Sequence, residues 1–383
     1  MMLVIEWLLL ILCLVAICFY CYSIYAAIAF FTQPHTIDPA FLPPVTILKP
    51  ICGVDRDAEE NLASFCQQDY PAYQIIFAVR DREDPAIAII EQLIQQFPNV
   101  DIQLVVSDRI IGANLKVSNL ANAVTAAKHE ILLIADSDIR VGKDYLQRIV
   151  QPLQDEKVGV VTCLYRSLAQ GWVTSFEALG IATSFHPGVL VSNQLEKIKF
   201  AFGSTIIIRK QALEAIGGFN AIADYLADDF QLGYLPAQAG YRVFLSNYIV
   251  DHILDESTLA DIIQRQIRWL RCIWVSRPWG YLGLLFTYGT VTSLLLLLVT
   301  KGSILGWTSL VITWILRLIM AWVIGVSVFN DTVTKQYFWL IPVRDLMHFA
   351  IWCYGFFGKY ITWRGQQLQL IPGGKLVLQE NAD

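Results

Sequence analysis

Four long apolar runs dominate the hydrophobic pattern of this chain. They cover about residues 3–31, 281–300, 303–329 and 336–358, and a membrane-crossing helix needs roughly 20 apolar residues. The pattern predicts an amino-terminal anchor and about three carboxyl-terminal membrane helices. The first run lacks a basic leading segment, contains the acidic Glu6 and is longer than the apolar core of a signal peptide. We therefore expect an uncleaved anchor.

The segment between the first two apolar runs alternates between strand and helix patterns. Short apolar runs predict strands at Val45–Leu48, Tyr73–Val79, Asp101–Val106, Glu130–Ala135 and Val158–Cys163. Between them, helices are predicted at Asp57–Gln68, Asp84–Gln96, Asn114–Lys128 and Lys143–Gln154. This alternation predicts a parallel, right-handed α/β sheet. A further strand is expected within Phe200–Ile208, where Gly203 would let another group approach closely.

Two acids, Asp136 and Asp138, directly follow the unbroken apolar run at 131–135. A strand of this kind is buried on both faces of a sheet, and ligands bind at the carboxyl ends of such strands. Two carboxylates so close together repel each other unless a cation neutralises them. Mg²⁺ or Mn²⁺ prefers such oxygens and brings phosphate oxygens with it. The alternative is an Asp-Ser-Asp turn that caps the next helix.

Other polar residues lie where strands end or helices begin, and each could instead belong to a solvated loop. Their shared position at one sheet edge favours a binding site. Asp228 and Asp229 open a helix predicted at Phe230–Gly240, where capping of the helix is the alternative. The residues expected to share the sheet edge with Asp136 and Asp138 are Lys49, Asp81, Asp84 and Lys116.

The segment 257–276 has the periodicity of an amphipathic helix. Arg265, Arg268 and Trp269 form one patch on it, and an apolar stripe contains Ile263, Ile267, Leu270 and Trp274. Because the segment lies just before an apolar run, we expect it to rest at a membrane surface. Arginines that bind only lipid phosphate are the alternative interpretation.

Composition supports a membrane protein and narrows its partners. Hydrophobic residues make up 55% of the chain, charged residues 16%, and the mean hydropathy is +0.49. A net charge of −5 offers no electrostatic footprint for nucleic acid. The eight cysteines are scattered in a way that predicts neither a disulfide framework nor a metal site, so we expect a reducing compartment.

With these residues in place, the chain resembles inverting glycosyltransferases of the family-2/21 type with a GT-A fold. More closely, it resembles ceramide glucosyltransferases and bacterial hopanoid-associated glycosyltransferases over most of residues 43–375. The resemblance rests on the order and spacing of several motifs. They are Arg80-Asp81-Arg82-Glu83-Asp84, Asp136-Ser137-Asp138, Ser184-Phe185-His186-Pro187, Asp228-Asp229, Arg265-Gln266-Ile267-Arg268-Trp269 and Trp363-Arg364-Gly365.

The resemblance implies a domain plan and a role for each candidate residue. An anchor and linker would cover 1–40, a Rossmann-like GT-A domain 41–256, an interfacial helix 257–280, and membrane helices with a tail 281–383. Asp229 would be the general base, with Asp228 beside it as a catalytic residue, and Asp136 and Asp138 would bind a divalent cation. His186 and Gly203 would lie near the sugar or the acceptor. Donor-binding residues would be Lys49, Asp81, Asp84, Lys116, Asp136, Arg265, Arg268 and Trp269.

The expected reaction transfers a hexose, with glucose favoured, from a UDP-sugar to the hydroxyl of a lipid such as ceramide, and forms a β-glycolipid. Transfer of N-acetylglucosamine to a hopanoid polyol, a processive polysaccharide synthase and a non-catalytic membrane scaffold remain alternatives. The catalytic domain is expected in the cytoplasm, because Arg271 and Arg277 precede the second span. The membrane would be a bacterial inner membrane, or the Golgi or endoplasmic reticulum of a eukaryote.

Several charged residues fall inside the predicted spans, among them Arg317, Arg344, Asp345 and His348. Charged groups in a bilayer are costly and usually face a protein interior or a polar cavity. We expect either a structural Arg344–Asp345 pair or a site for a lipid headgroup.

Overall fold

A computed structural model describes residues 2–34, 37–363 and 366–378. The chain divides into two compact units. The first, called the helical unit below, comprises Met1–Gln33, Ser167–Leu195 and Glu256–Gly374. The second, called the sheet unit, comprises Pro34–Arg166, Glu196–Asp255 and Lys375–Asp383. The predicted 41–256 domain is thus interrupted by a segment that groups with the helical unit, and its boundaries stay a prediction.

The strands are numbered in chain order over the described residues. They are β1 Val45–Ile51, β2 Tyr73–Val79, β3 Asp101–Val106, β4 Ile131–Ile134, β5 Ile139–Arg140, β6 Val158–Leu168, β7 Ile206–Arg209, β8 Arg242–Ile253, β9 Tyr360–Trp363, β10 Gln366–Leu370 and β11 Leu376–Leu378.

The α-helices are numbered in the same way, and short 3₁₀ and π segments extend or join several of them. They are α1 Met2–Phe31, α2 Ala58–Cys66, α3 Ala86–Gln96, α4 Leu115–Ala123, α5 Tyr145–Ile149, α6 Gly171–Gly180, α7 His186–Glu196, α8 Lys210–Ala215, α9 Asp228–Gln238, α10 Leu259–Ser276, α11 Pro278–Gly283, α12 Gly289–Val299, α13 Ile304–Ala321, α14 Thr332–Tyr337 and α15 Ile341–Gly355.

The main sheet has eight strands in the order β3-β2-β1-β4-β7-β6-β8-β5. The first four strands in this order run parallel, as predicted. Strand β7 lies antiparallel between β4 and β6, so the prediction of a wholly parallel sheet is wrong for the second half. A strand that is buried on both faces has the same apolar pattern in either direction, and the sequence therefore predicted the strand but not its orientation.

The core of the sheet unit is formed by apolar residues that the strands bury on both faces. Ile47, Ile75, Leu133 and Ile207 are all fully buried, and Phe65 packs edge-on against Tyr145 at 5.9 Å between ring centroids. Burial of each such side chain contributes about 1.5–3 kcal/mol. This packing fixes the ends of β1, β4 and β7, where the candidate residues lie.

In the helical unit, two helices of the described residues are long and apolar enough to cross a membrane, Leu3–Phe31 and Ile304–Val328. A bent pair, Pro278–Thr287 with Gly289–Val299, would be a third if it forms one span. The helix at the predicted fourth span, α15, has only 15 residues, which is shorter than a span of about 20 requires. The chain therefore has two or three candidate spans, and the prediction of four is not confirmed.

The sequence patterns did not predict the helices between β6 and β7. Helices α6 and α7 are joined by a π-helical turn at Ile181–Phe185, so the chain stays helical from Gly171 to Glu196. Of the carboxyl-terminal motif, Arg364 and Gly365 lie outside the described residues, as does the end of the predicted tail at 379–383.

Candidate active site

The acid pair lies at the carboxyl end of β4, as predicted. Neither carboxylate caps a helix, because β5 follows and α5 begins only at Tyr145. The backbone N–H of Asp136 donates to the carbonyl of Gly203 at 3.0 Å. The ammonium group of Lys49 donates to the carbonyl of Asp136 at 2.7 Å. Strand β1 and the turn before β7 therefore fix the backbone of Asp136.

Lys49 is fully buried, and its Nζ lies 3.8 Å from the centre of the Phe65 ring. Burial lowers the pKa of Lys49 to about 7, although the charges of Asp138 and Asp136 oppose this shift. In this geometry Lys49 holds the loop that carries Asp136. Its predicted contact with the nucleotide stays a prediction.

Gly203 joins two of the predicted acids. Its carbonyl accepts from Asp136, and its N–H donates to the Oδ2 of Asp229 at 3.2 Å. A Cβ at this position would lie 2.4 Å from the Oδ2 of Asp136, a distance that no side chain tolerates. Asp136 and Asp229, which are 93 positions apart in the chain, thus meet at one glycine.

Asp229 lies in the first turn of α9 and is half-buried. Its other oxygen, Oδ1, accepts from the N–H of Phe230 at 2.7 Å. Burial and the charge of neighbouring Asp228 raise the pKa of Asp229 to about 6. A carboxylate with this pKa is ionised at neutral pH and is a stronger base than an ordinary aspartate.

Lys116 bridges two of the acidic motifs, 136–138 and 228–229. Its Nζ lies 2.6 Å from the Oδ1 of Asp136 and 3.1 Å from the Oδ2 of Asp228. Burial would lower the pKa of Lys116, but the charges of Asp136 and Asp228 outweigh burial and raise it. Asn114 supports the arrangement, since its side chain caps α4 and donates to the carbonyl of Tyr225 at 2.8 Å.

Asp138 lies beside a residue that the sequence analysis missed, His252. The Nε2 of His252 is 3.3 Å from the Oδ2 of Asp138, and β5 and β8 pair Ile139 with His252. Tyr165 packs edge-on against the imidazole at 5.2 Å. Burial would raise the pKa of Asp138, but the charge of His252 and its hydrogen bond outweigh burial and lower it. Two polar residues, Asp251 and His252, at the end of a predominantly apolar segment were the available signal.

The two acids after β2 behave differently from each other. Both oxygens of Asp84 accept backbone N–H groups, from Gly53 at 2.8 Å and from Ala86 at 2.9 Å. Asp84 thereby ties the loop after β1 to the start of α3. Asp81 is exposed and accepts from Glu83 in a turn. Their predicted contact with uracil or ribose stays a prediction.

The remaining predicted residues belong to the helical unit. On α10, the Nε of Arg265 lies 2.9 Å from the carboxylate of Glu177, which is 1% exposed. Trp269 on the same helix is 41% exposed. His186 is buried and stacks on Phe329 at 4.4 Å between ring centroids. Arg268 lies within the same helix as Arg265.

The predicted apolar stripe of α10 faces the interior of the helical unit. Leu270 is buried, and Ile263, Ile267 and Trp274 pack against the same cluster. A capping box of Thr258 and Asp261 begins the helix. The amphipathic helix is therefore confirmed, whereas its position at a membrane surface stays a prediction.

Comparison with known proteins gives this geometry a family. The profile of glycosyl transferase family 21 matches residues 8–376. The chain belongs to glycosyltransferase family 21. This membership agrees with the resemblance on which the sequence analysis relied, and the mixed sheet with flanking helices agrees with a GT-A fold.

Relatives of this family 21 chain include named enzymes. It is 29% identical over 240 residues to ceramide glucosyltransferase 1 of Caenorhabditis elegans. This match covers 62% of this chain and 51% of the relative. It is 41% identical over 113 residues to the ceramide glucosyltransferase of Komagataella phaffii. This match covers 28% of this chain and 22% of the relative. The chain spans about half the length of the first of these relatives.

A solved structure shares the fold of this family 21 chain. It is the mannosyltransferase PcManGT from Pyrobaculum calidifontis, in complex with GDP-Man and Mn²⁺, with a TM-score of 0.58. The match covers 92% of this chain and 99% of the mannosyltransferase at 18% identity. At this identity the likeness establishes the fold alone.

Proposed function

We propose that this protein is a membrane-bound inverting glycosyltransferase that transfers glucose from UDP-glucose to the primary hydroxyl of ceramide or a closely similar lipid. Family membership and the names of the relatives support the reaction class and the acceptor. The observation that carries the proposal is the junction at Gly203, where one backbone unit holds Asp136 through its carbonyl and Asp229 through its N–H.

Asp229 acts as the general base in this proposal. The acceptor oxygen attacks the anomeric carbon, the bond between that carbon and the diphosphate oxygen breaks, and the acceptor proton passes to the carboxylate of Asp229. Attack from the face opposite the diphosphate inverts the anomeric centre and gives a β-glycoside. Proton transfer of this kind contributes about 10²–10⁴ in rate.

The predicted donor-binding residues complete the proposal. The ammonium group of Lys116 pairs with the carboxylates of Asp136 and Asp228. In the proposal it also binds the nucleotide diphosphate. Asp81 and Asp84 remain the candidates for the nucleoside. Arg265 and Arg268 carry planar, permanently charged groups that suit phosphate oxygens, and Trp269 offers a flat apolar surface.

The side chains near Asp138 fit a divalent cation. The described residues contain no cluster of three or more potential protein ligands. Mg²⁺ and Mn²⁺ in nucleotide sites commonly take only one or two protein ligands, with substrate phosphates and water completing the shell. Asp136 and Asp138 would hold such an ion, and His252, 3.3 Å from the Oδ2 of Asp138, would orient that carboxylate. When bound, the ion would stabilise the negative charge that develops on the leaving diphosphate.

Metal removal tests this part of the proposal. EDTA should abolish at least nine-tenths of the transfer in purified membranes, and added Mn²⁺ or Mg²⁺ should restore it. The matched variant Asp138→Asn should need a higher cation concentration for half-maximal rate. Full activity in chelator would remove the cation from the proposal.

The decisive experiment is chemical analysis of the product. The full chain, expressed in a host that makes no glycosphingolipid, is supplied with ceramide and either UDP-glucose or UDP-N-acetylglucosamine. We expect mass spectrometry and nuclear magnetic resonance to find β-glucosylceramide. A polyol or polymer product, or no transfer to any lipid, would contradict the proposal.

A further inference from the structure

The helical unit contains a group of buried charges that the proposed reaction does not use. Arg317 and Asp345 form a two-pronged ion pair with distances of 3.0 and 2.8 Å. Arg317 also donates to the carbonyl of Thr183 at 2.9 Å, and Asp345 accepts from Thr290 at 2.7 Å. The predicted Arg344–Asp345 pair is wrong, because Asp345 pairs with a residue of α13 instead.

Arg344 forms no ion pair with any described residue in this arrangement, although the charges of Asp345 and Glu177 act on it from a greater distance. It is 4% exposed, and among the described residues no carboxylate lies within ion-pair distance of it. Its Nε has no hydrogen-bond partner, and its NH1 reaches only the Ser184 hydroxyl at 3.5 Å. A buried guanidinium with unmet donors is costly unless a ligand supplies oxygen acceptors.

The position of this guanidinium depends on a glycine of α6. A Cβ on Gly180 would lie 1.9 Å from the NH2 of Arg344. The side chain therefore occupies space that any other residue at 180 would take.

The helical unit also contains an apolar groove, formed by α13, the π-helical segment that follows it, and Phe338. It has a volume of about 250 Å³ and is lined by Leu318, Ile319, Trp322, Val323 and Phe338. Leu318 and Phe338 also pack against a buried cluster that contains Leu179, the residue next to Gly180. The groove runs along one of the two long candidate membrane spans, whose natural surroundings are alkyl chains.

We propose that Arg344 and this groove bind the acceptor lipid, with Arg344 donating to the amide carbonyl or hydroxyl of the ceramide and the groove holding one alkyl chain. The inference rests on the proposed function for the identity of the lipid. It adds a binding site that consists wholly of residues of the helical unit. A lipid that lacks oxygen acceptors next to its alkyl chains would leave Arg344 unsatisfied.

Direct labelling tests the site without relying on turnover. The full chain in phosphatidylcholine nanodiscs is irradiated with a ceramide that carries a diazirine in its acyl chain, and labelled peptides are identified. We expect labelling at residues 318–323 and 338, competition by unlabelled ceramide, and at least a tenfold loss of labelling in Arg344→Gln. Labelling that ceramide does not displace would overturn the inference. Displacement only by anionic phospholipid would overturn it in favour of membrane phosphate.

Two further variants keep the test valid if Arg344→Gln fails to fold. Gly180→Ala keeps the charge and favours the helix, but it displaces the guanidinium. The matched control Gly188→Ala adds a Cβ that meets no atom within 4 Å. We expect Gly180→Ala to raise the KM for ceramide about tenfold, with little change in the KM for UDP-glucose, and Gly188→Ala to change neither. Equal KM values for ceramide in both variants would contradict a role for Arg344.

The groove is tested by filling it. Leu318→Trp should weaken labelling by long-chain ceramide. Ile315→Trp should not, because Ile315 on the same helix is 51% exposed and does not line the groove. If ceramide labels the groove competitively but no sugar is transferred, the lipid site stands and the proposed function fails. If sugar is transferred without groove labelling, the proposed function stands and this inference fails.

Discussion

The two units each contain a group of charged side chains, and the acid pair of the sheet unit differs from the charges of the helical unit in exposure and in sign. In the sheet unit, the side chains of Asp136 and Asp138 are 36% and 34% exposed. In the helical unit, those of Arg317 and Asp345 are only 5% and 8% exposed. The acids of the sheet unit outnumber the lysines among them, whereas the helical group of Arg317, Arg344 and Asp345 has two guanidinium groups and one carboxylate.

The difference indicates what each group can bind. Partly exposed carboxylates are stabilised by water in the absence of a ligand, so they can accept a cation or a proton reversibly. Buried charges have no such help, so they must be paired within the protein or satisfied by a ligand. Arg317 and Asp345 are paired with each other within the protein, whereas Arg344 requires a ligand to satisfy its donors.

The largest expected effect concerns the base of the sheet unit. Asp229→Asn should lower kcat by about 10²–10⁴, because the amide cannot take the acceptor proton. UDP-glucose affinity, measured by calorimetry, should change little. The exposed acid of α8, in Glu214→Gln, provides the matched control and should retain activity. Normal turnover of Asp229→Asn would remove Asp229 from the mechanism.

The buried pair should show its effect in stability. Asp345→Asn leaves the Arg317 guanidinium without its counter-ion and should lower the free energy of unfolding by about 3–5 kcal/mol. Thr290→Ala removes only one hydrogen bond to Asp345 and should cost about 1 kcal/mol. Denaturant titration of the detergent-solubilised chain, followed by tryptophan fluorescence, measures both. Equal, small losses would mean that the pair is not buried as described.

A substitution at Gly203 tests whether the position of the Asp136 carboxylate, with its charge unchanged, affects the rate of transfer. Gly203→Ala retains every charged group but should push Asp136 aside, because the new Cβ would lie 2.4 Å from its Oδ2. A displacement of about 1 Å at a reacting site costs roughly 10² in rate. The control is Gly53→Ala, where no atom lies within 4 Å but φ is +75°. Gly203 does not share that positive φ, so normal turnover of Gly203→Ala would show that the contact with Asp136 does not position it for transfer.

The local elements of this fold could be predicted from sequence, whereas several long-range partners could not. Strands β1 to β4 and their helices follow from runs and periodicities within about ten residues. The direction of β7 and the pairing of Asp345 with Arg317 depend on contacts between distant segments. Periodicity reports local burial, and it carries no information on which buried residues meet.

The candidate site shows the same division. Asp136 and Asp229 were identified from their positions after a strand and at a helix start, together with the family motifs. Lys49 was also identified, but its direction into the core, towards Phe65, was not foreseen. His252 was missed because a histidine within a strand of mixed polarity has no distinguishing pattern until β5 lies beside it.

The smallest expected effect is a shift in the pH profile of kcat/KM. It should show whether the group that titrates belongs to the sheet unit or to the helical unit. Because burial and Asp228 raise the pKa of Asp229 to about 6, protonation of this base should not limit kcat/KM above that pH. Below it, the base becomes protonated, and the rate should fall about tenfold per pH unit. Asp228→Asn removes a neighbouring negative charge, so the fall should begin at lower pH. If the profile instead stays at pH 6 in Asp228→Asn but moves in Asp345→Asn, a group of the helical unit would control the titration.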